Sequence, residues 1–165
     1  MTSGDGAWSG DRALLACYFD ELAVGRRQRT RGRTVTEADI VAWCSHTADW
    51  FWLHSDRVAA RESAFGRRIA PGIMVYAFAA GLGVPADSRS ILANYGADRI
   101  RYPHPVYIGD TIRLDAEILD LDARDAGSGL AVLRWDVLNQ DVETVCASVL
   151  KVLLARSAPA ADGSL

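Results

Sequence analysis

Alternation of hydrophobic and polar residues dominates the second half of the chain. In TIRLDAEILDLDA every second position from 112 to 118 is apolar, and LAVLRWDVLN repeats this period with Leu133, Trp135 and Val137. A period of two is typical of strands that bury one face. Because a short turn at residues 139–141 joins LAVLRWDVLN to VETVCASVLKVLLA, the pattern predicts a long antiparallel hairpin.

A helix is predicted where the period changes in the first half. Thr36 is a suitable N-cap for TEADIVAWCSHTAD, and Asp39 lies three residues further on, as in a capping box. Ile40, Trp43 and Cys44 follow at helical spacing and give this helix one buried stripe.

A second helix is predicted from about Gly72 to Leu82. Pro71 suits the first turn of a helix, and Gly83 is a suitable end. This segment has no polar face, so it must be surrounded, and a curved sheet is the expected wrapping in a small domain. The predicted fold class is therefore α+β, an antiparallel sheet wrapped around a central apolar helix.

The chain is predicted to form one domain. Its 165 residues suffice for one core. We assign residues 17–156 to the domain, and residues 1–16 and 157–165 to flexible tails because they are rich in Gly, Ser, Ala and Asp. The start of the chain does not resemble a secretory signal, and the longest apolar stretch, residues 73–84, is too short to span a bilayer. We therefore expect a cytoplasmic protein.

Composition argues against two classes of function. The formal net charge is −3 and the arginines are scattered, so there is no basic stripe for nucleic acid. The three cysteines are far apart without metal-ligand spacing, and we expect them to be small buried side chains in a reducing compartment. His46 and His104 are interpreted as surface residues. With one histidine left and no cluster of carboxylates, no metal is expected.

Candidate chemistry is concentrated in DWFWLH, residues 49–54. Asp49 and His54 flank the aromatic residues Trp50, Phe51 and Trp52. Such a pair either handles protons in a dry pocket or forms a structural contact beside an aromatic cluster. Three consecutive aromatic side chains cannot all face inward, so at least one is expected to line a pocket or a subunit interface.

Four stretches, YFDELAVG, GRTVTEADIVAWCSHTADW, AFGRRIAPGIMVYAFAAGL and RIRYPHPVYIGDTIRLDAEI, occur in this order. Together they resemble the MaoC-like dehydratases, a hot-dog family that includes the R-specific enoyl-CoA hydratases. The resemblance extends from Tyr18 to Ala155. It implies a hot-dog fold and the hydration or dehydration of a 2-enoyl or 3-hydroxyacyl thioester, carried by coenzyme A or a carrier protein, without a further cofactor.

The family signature is aspartate, any residue, asparagine, proline, any residue, histidine. Asp49 and His54 occupy the two catalytic positions with the spacing intact, while Phe51 and Trp52 replace the asparagine and the proline. Before the helix glycine, Pro71 replaces a usual histidine. The resemblance implies that Asp49 acts as a base or proton shuttle and that His54 helps to hold the reacting water.

Hydration of an enoyl thioester also needs donors for the enolate oxygen that develops. The Pro71–Gly72 helix start offers backbone N–H groups and the positive end of a helix dipole. Gly96 lies where the family has a pocket glycine, so the resemblance implies that it is a binding residue. Trp50, Phe51 and Trp52 are expected to narrow the acyl tunnel and to favour a short, cyclic or aromatic acyl group.

Two alternatives remain open. One is a different thioester reaction on the same fold, either thioesterase activity or a tailoring dehydration or cyclisation. The other is a non-catalytic acyl-binding or dimer-partner subunit in which Asp49 and His54 are relics. In each case we expect at least a homodimer, because hot-dog sheets expose long edges. The arginines flanking the inferred pocket segments are weak candidates for binding a carrier phosphate: Arg67, Arg68, Arg99 and Arg101.

Overall fold

The computed structural model describes residues 12–156. The helices are α1 (Glu37–Thr47), α2 (Trp52–Ser55), α3 (Arg57–Arg61) and α4 (Gly72–Gly83). The strands are β1 (Arg27–Arg29), β2 (Arg33–Thr34), β3 (Ile91–Arg101), β4 (Thr111–Ala123), β5 (Ser128–Leu138) and β6 (Thr144–Ala155). Two short 3-10 turns, Leu14–Ala16 and Phe19–Glu21, precede β1. No helix within residues 12–156 combines the length and the apolar character needed to cross a membrane.

The strands form one antiparallel sheet in the order β1-β4-β5-β6-β3, with β2 paired to β4. The predicted long hairpin is confirmed: β5 and β6 pair from Ser128 opposite Ala155 to Leu138 opposite Thr144. The predicted alternation is confirmed as well, because Ile112, Leu114 and Ile118 have no exposed surface. Strand β3 lies at one end of the strand order, so no strand within residues 12–156 lies beside its outer edge.

The sheet packs against α4 at very short range. A Cβ atom built on Gly83 would lie 2.3 Å from Cη2 of Trp135 and 2.5 Å from Cδ2 of Leu114. Trp135 itself is 1% exposed. The end of the helix therefore reaches the sheet only because residue 83 has no side chain.

The predicted capping box of α1 is confirmed. The hydroxyl of Thr36 accepts a hydrogen bond from the backbone N–H of Asp39 at 3.2 Å, and the Asp39 carboxylate accepts one from the Thr36 N–H at 2.8 Å. Arg33 adds an ion pair to the same carboxylate at 2.7 Å. This local network determines where α1 begins.

Helix α4 begins at Gly72, as predicted, but it is not surrounded on every side. Met74, Val75 and Ala79 are buried, whereas Ile73 and Ala77 are exposed. In the single chain the sheet covers one side of α4, and enclosure of this second stripe stays a prediction. An apolar helix face is left uncovered beside the described sheet.

The packed part of the chain begins before residue 17. Leu14 and Leu15 are fully buried, and the N–H of Leu14 donates to Oε1 of Gln28 at 2.8 Å. The predicted boundary therefore falls inside the packed domain, because these two leucines cover part of the core. The other predicted tail residues, 1–11 and 157–165, lie outside the described residues. The three cysteines are free and buried, as expected.

Candidate active site

A cavity of about 360 Å³ opens between α2, the start of α4 and the loop after β3. Most of its lining is apolar. The residues lining it are His54, Phe65, Ile69, Ala70, Gly72, Val75, Tyr102, Pro103, His104, Pro105, Val106 and Val145. It brings together two of the residues predicted from the sequence, His54 and Gly72.

The imidazole of His54 is held in one orientation. Its Nδ1 lies 2.8 Å from the carbonyl oxygen of Ile69. A carbonyl can only accept, so Nδ1 carries the proton and donates it in this hydrogen bond. Nε2 has no protein partner within residues 12–156, and in the neutral ring it keeps its lone pair. His54 can therefore bind a water molecule or a substrate atom through Nε2.

Gly72 places the N-terminus of α4 at the wall of the cavity. The first N–H groups of a helix have no acceptor within the helix and lie at its positive end. A Cβ atom on Gly72 would lie 2.7 Å from the Tyr102 ring, so only glycine lets this loop approach the helix start. The preceding Pro71 is buried, and its carbonyl accepts from the N–H groups of Met74 and Val75.

Asp49 is not among the residues that line the cavity. It follows Ala48, the left-handed C-cap of α1, and its backbone N–H donates to the Thr47 hydroxyl at 3.3 Å. Its side chain is half-buried and forms no ion pair within the described part of the chain. The pKa of the nearby Cys44 thiol is raised by burial and, secondarily, by the charge of Asp49. No hydrogen bond joins Asp49 to His54 in the single chain.

The aromatic run is exposed. Trp50, Phe51 and Trp52 are 53%, 49% and 43% exposed, and none of them lines the cavity. The Phe51 ring lies 5.3 Å from the Trp52 ring and 5.7 Å, edge-on, from the imidazole of His54. The Phe51 ring therefore packs against the imidazole of His54. Their predicted role in narrowing an acyl tunnel stays a prediction.

Gly96 lies apart from the cavity, on β3. It has a φ of 155° and sits at an irregularity where the β3–β6 register shifts. No atom lies within 4 Å of the position that its Cβ would occupy. The backbone conformation explains why glycine stands here, and a role in substrate binding stays a prediction.

The four arginine candidates have different surroundings. Arg68 pairs with Glu37 at 2.6 Å, and Arg101 donates to the carbonyl of Ile100. Arg99 has a positive φ of 55°. Arg67 stacks on the Tyr107 ring, 3.8 Å from its centroid, and lines a neighbouring cleft.

Residues 12–156 contain no group of three or more His, Cys, Asp or Glu side chains arranged to hold a metal ion.

The sequence matches the model of a known protein family. A family model described as "MaoC like domain" matches residues 20–132. The chain belongs to the MaoC-like family. The α+β hot-dog fold expected from the sequence is confirmed by the solved structures that this MaoC-like chain resembles.

Three relatives illustrate the range of the MaoC-like family. "Protein MaoC" of Klebsiella aerogenes is 44% identical over 97 residues, which are 59% of this chain and 29% of that protein. "3-Hydroxyacyl-thioester dehydratase Z" of Mycobacterium tuberculosis is 28% identical over 99 residues, 58% of this chain and 64% of that protein. The chain thus spans less than two thirds of each of these two relatives.

The third relative is a solved structure. The "monoamine oxidase regulatory protein" from Archaeoglobus fulgius has 34% sequence identity and a TM-score of 0.80, over 86% of this chain and 95% of that one. The MaoC-like fold is therefore shared over nearly the whole described domain.

Among the cavity residues that the sequence did not indicate, His104 is the second histidine of the MaoC-like cavity. His104 is exposed, as predicted, yet it lines the cavity together with His54. Its Nδ1 bonds to the carbonyl oxygen of Thr144, which is 40 residues further along the chain. No local pattern indicates such a contact. The prolines on either side, Pro103 and Pro105, were the only signal that this loop is conformationally restricted.

Proposed function

We propose that this MaoC-like chain is a hydratase or dehydratase acting on a 2-enoyl or 3-hydroxyacyl thioester. The observation that carries the proposal is that His54 and the N-terminus of α4 share one apolar cavity. A proton-handling group and an oxyanion-binding group are the two functions that this reaction needs close together. A relative of the chain is named as a 3-hydroxyacyl-thioester dehydratase, which supports the same reaction class.

In the hydration direction, the oxygen of water bonds to C3 of the enoyl group and a base removes one proton from that water. The enolate formed on the thioester then takes a proton at C2, so the product is the 3-hydroxyacyl thioester. His54 holds the water through Nε2, because its Nδ1 is committed to the Ile69 carbonyl. Asp49 is the proposed base or proton shuttle, five residues before His54, half-buried and without an ion pair in the described residues.

The enolate oxygen needs hydrogen-bond donors as it gains charge. In the proposed complex, the backbone N–H groups at the start of α4, that of Gly72 first, bind the thioester oxygen, and the helix dipole of α4 stabilises its charge. The apolar walls around them strengthen both effects, because little water competes in the cavity. No metal or organic cofactor is needed for this proton chemistry, and none is proposed.

The acyl group is proposed to be short, cyclic or aromatic, attached to coenzyme A or to a carrier protein. A cavity of about 360 Å³ has room for a short acyl group together with the thioester. We retain Trp50, Phe51 and Trp52 as acyl-selecting residues and Gly96 as a binding residue in this proposal. A cytoplasmic location is proposed as well, in keeping with the free buried cysteines.

A homodimer completes the proposal. The outer edge of β3 is open, and Leu92 and Tyr95 on this strand are 54% and 65% exposed. The uncovered stripe of α4, with Ile73 and Ala77, is a second apolar surface. An exposed strand edge and an apolar helix face are surfaces that a second copy can cover. Light scattering that shows a stable, active monomer would overturn this part.

The reaction is tested with 2-enoyl and 3-hydroxyacyl thioesters of coenzyme A, for example crotonyl-CoA, cinnamoyl-CoA and 3-hydroxybutyryl-CoA. Loss or gain of enoyl absorbance is followed together with released thiol. We expect an enoyl signal without thiol release in the wild type, and a loss of about a hundredfold or more in Asp49→Asn and His54→Asn. His46→Asn is the matched control, because His46 is exposed on α1 and bonds only to its own helix.

Three other outcomes of this assay would contradict parts of the proposal. Thiol release would indicate a thioesterase and overturn the hydratase proposal. Full activity of Asp49→Asn would remove Asp49 from the mechanism. Tight binding of the thioesters without turnover in either channel would favour the non-catalytic acyl-binding subunit.

A further inference from the structure

A second histidine lies in the same cavity as His54. His104 belongs to the loop between β3 and β4 and is flanked by Pro103 and Pro105, and all three residues line the cavity. Two of the three histidines of the chain therefore lie at one cavity. The third, His46, lines a different one.

The ring of His104 is held from two sides. The adjacent prolines restrict the backbone on both sides of residue 104. The Nδ1 atom lies 3.0 Å from the carbonyl oxygen of Thr144, the first residue of β6. Because a carbonyl only accepts, Nδ1 is the donor and Nε2 of the neutral ring is left as an acceptor. An exposed imidazole fixed in this way is already ordered before a ligand arrives, which lowers the entropic cost of binding.

His54 and His104 thus have the same arrangement. Each uses Nδ1 to bond a backbone carbonyl, of Ile69 and Thr144 respectively, and each leaves Nε2 without a protein partner within residues 12–156. The proposed reaction needs Nε2 of His54 alone. The equivalent atom of His104 has no role in that reaction.

His104 also marks a boundary between two surfaces. Together with Pro105, it lines both the apolar cavity and a neighbouring cleft of about 300 Å³. That cleft is lined by neutral polar side chains such as Asn139 and by three carboxylates, Asp110, Asp141 and Glu143. A thioester that extends from the cavity towards this cleft passes His104. Its Nε2 is then an ordered acceptor for a donor group of the ligand.

We propose that His104 is a substrate-contacting, specificity-determining residue whose Nε2 accepts a hydrogen bond from an O–H or N–H group of the bound thioester. The inference rests on the proposed function for the identity of the ligand. The donor has two sources with the same chemistry: a hydroxyl group on the acyl chain, or an amide N–H in the pantetheine arm of the carrier.

Two substitutions separate contact with the ligand from support of the loop. In His104→Asn, the side-chain amide nitrogen takes the place of Nδ1 and keeps a donor for the Thr144 carbonyl, whereas nothing replaces Nε2. In His104→Gln, the longer amide reaches the place of Nε2 and its oxygen is an acceptor. A purely structural role is rescued by asparagine, and a ligand-binding role is rescued by glutamine.

Binding is measured by calorimetric titration with butyryl-CoA and 4-hydroxybutyryl-CoA, which have no double bond to hydrate. We expect Kd to rise about fivefold in His104→Asn, the effect of losing one neutral hydrogen bond, and to recover in His104→Gln. A rise for both ligands identifies the carrier arm as the donor. A rise for 4-hydroxybutyryl-CoA alone identifies the acyl hydroxyl.

Equal affinity of wild type and His104→Asn for both ligands would overturn the role of His104, even if the enzyme hydrates enoyl thioesters normally. Weaker binding in His104→Asn combined with no turnover by the wild type would support His104 and overturn the hydratase proposal. Wild-type protein that binds neither ligand would overturn the role of His104, while the hydratase proposal is decided by the turnover assay. Thermal unfolding of each variant checks that the loop remains folded.

Discussion

The hairpin sheet, residues 111–155, and the helical segment, residues 36–70, are held in place by different forces. In the hairpin sheet, strands β4 to β6 pair along almost their whole length, and alternate side chains are buried in one core. In the helical segment, five residues are buried: Ile40, Cys44, Leu53, Ala60 and Ala70. The other residues of the helical segment are positioned by helix caps and single hydrogen bonds. The part that carries the candidate chemistry is therefore the part with the least apolar support, as expected for functional segments.

The largest expected effect lies in the hairpin sheet. Trp135→Ala removes a side chain that is 1% exposed and packs against the end of α4. We expect a loss of about 3 to 5 kcal/mol in the free energy of unfolding, measured by urea denaturation. Leu119→Ala on β4 is the control: this side chain is 41% exposed, and about 0.5 kcal/mol or less is expected. Similar losses for both variants would contradict the proposed difference between the two regions.

The next effect concerns the contact between α4 and the sheet. Gly83→Ala places a methyl group 2.3 Å from the Trp135 ring, and we expect it to cost about 1 to 3 kcal/mol. Gly81→Ala, two residues earlier, meets no atom within 4 Å. Alanine there is expected to stabilise the helix by about 0.5 to 1 kcal/mol. Thermal unfolding of the two variants should therefore shift in opposite directions, and a shift in the same direction would count against this packing.

A smaller effect is expected in the helical segment. The carboxylate of Asp56 accepts hydrogen bonds from the N–H groups of Val58 and Ala59 at 2.8 Å and 3.0 Å and so caps α3. Asp56→Ala should cost about 1 kcal/mol, while Asp56→Ser should recover much of it because serine keeps an acceptor. Hydrogen exchange should show faster local opening of α2 and α3 with the hairpin sheet unchanged. Equal acceleration of exchange in β5 and β6 would show that the hairpin sheet and the helical segment open together.

The smallest effect depends on pH. Burial raises the pKa of Asp39, but hydrogen bonds from the backbone and side chain of Thr36 and from Arg33 outweigh it, so the pKa lies below its ordinary value. A carboxyl group whose pKa is lowered by folding stabilises the protein at pH values above its pKa in the unfolded chain, about 4. This contribution is lost as the pH falls through the pKa of the folded state.

The difference in stability between wild type and Asp39→Asn should therefore be full at neutral pH and should shrink as the pH falls below about 4. Urea denaturation at several pH values measures it. A difference that stays constant over this range would show that the charge of Asp39 does not support the cap.

The sequence predicted the features that depend on local chemistry or on periodic burial. The capping box of Thr36 and Asp39, the start of α4 at Gly72 and the alternation in β4 were all read correctly, because neighbouring residues determine them. Leu14 and Leu15 were placed in a tail because their neighbours are small and polar, although tertiary packing buries them.

The site was predicted less completely. His54 and Gly72 do line one cavity, but the contact that fixes His104 joins residues 40 positions apart, and sequence spacing carries no sign of it. The exposure of Trp50, Phe51 and Trp52 could not be predicted either, because their hydrophobic character favours burial equally in a core, a pocket or a subunit interface.

The close approach of Gly72 to the Tyr102 ring has a consequence for redesigning this protein. Because the ring lies where a Cβ atom would be, the smallest substitution, Gly72→Ala, must displace the ring of Tyr102, which belongs to the loop that also carries His104. One added carbon at the helix start would thereby alter a wall of the cavity without replacing either imidazole. Position 72 is thus a single point from which the width of the cavity can be adjusted, and Tyr102→Ala offers the complementary change by removing the obstructing ring.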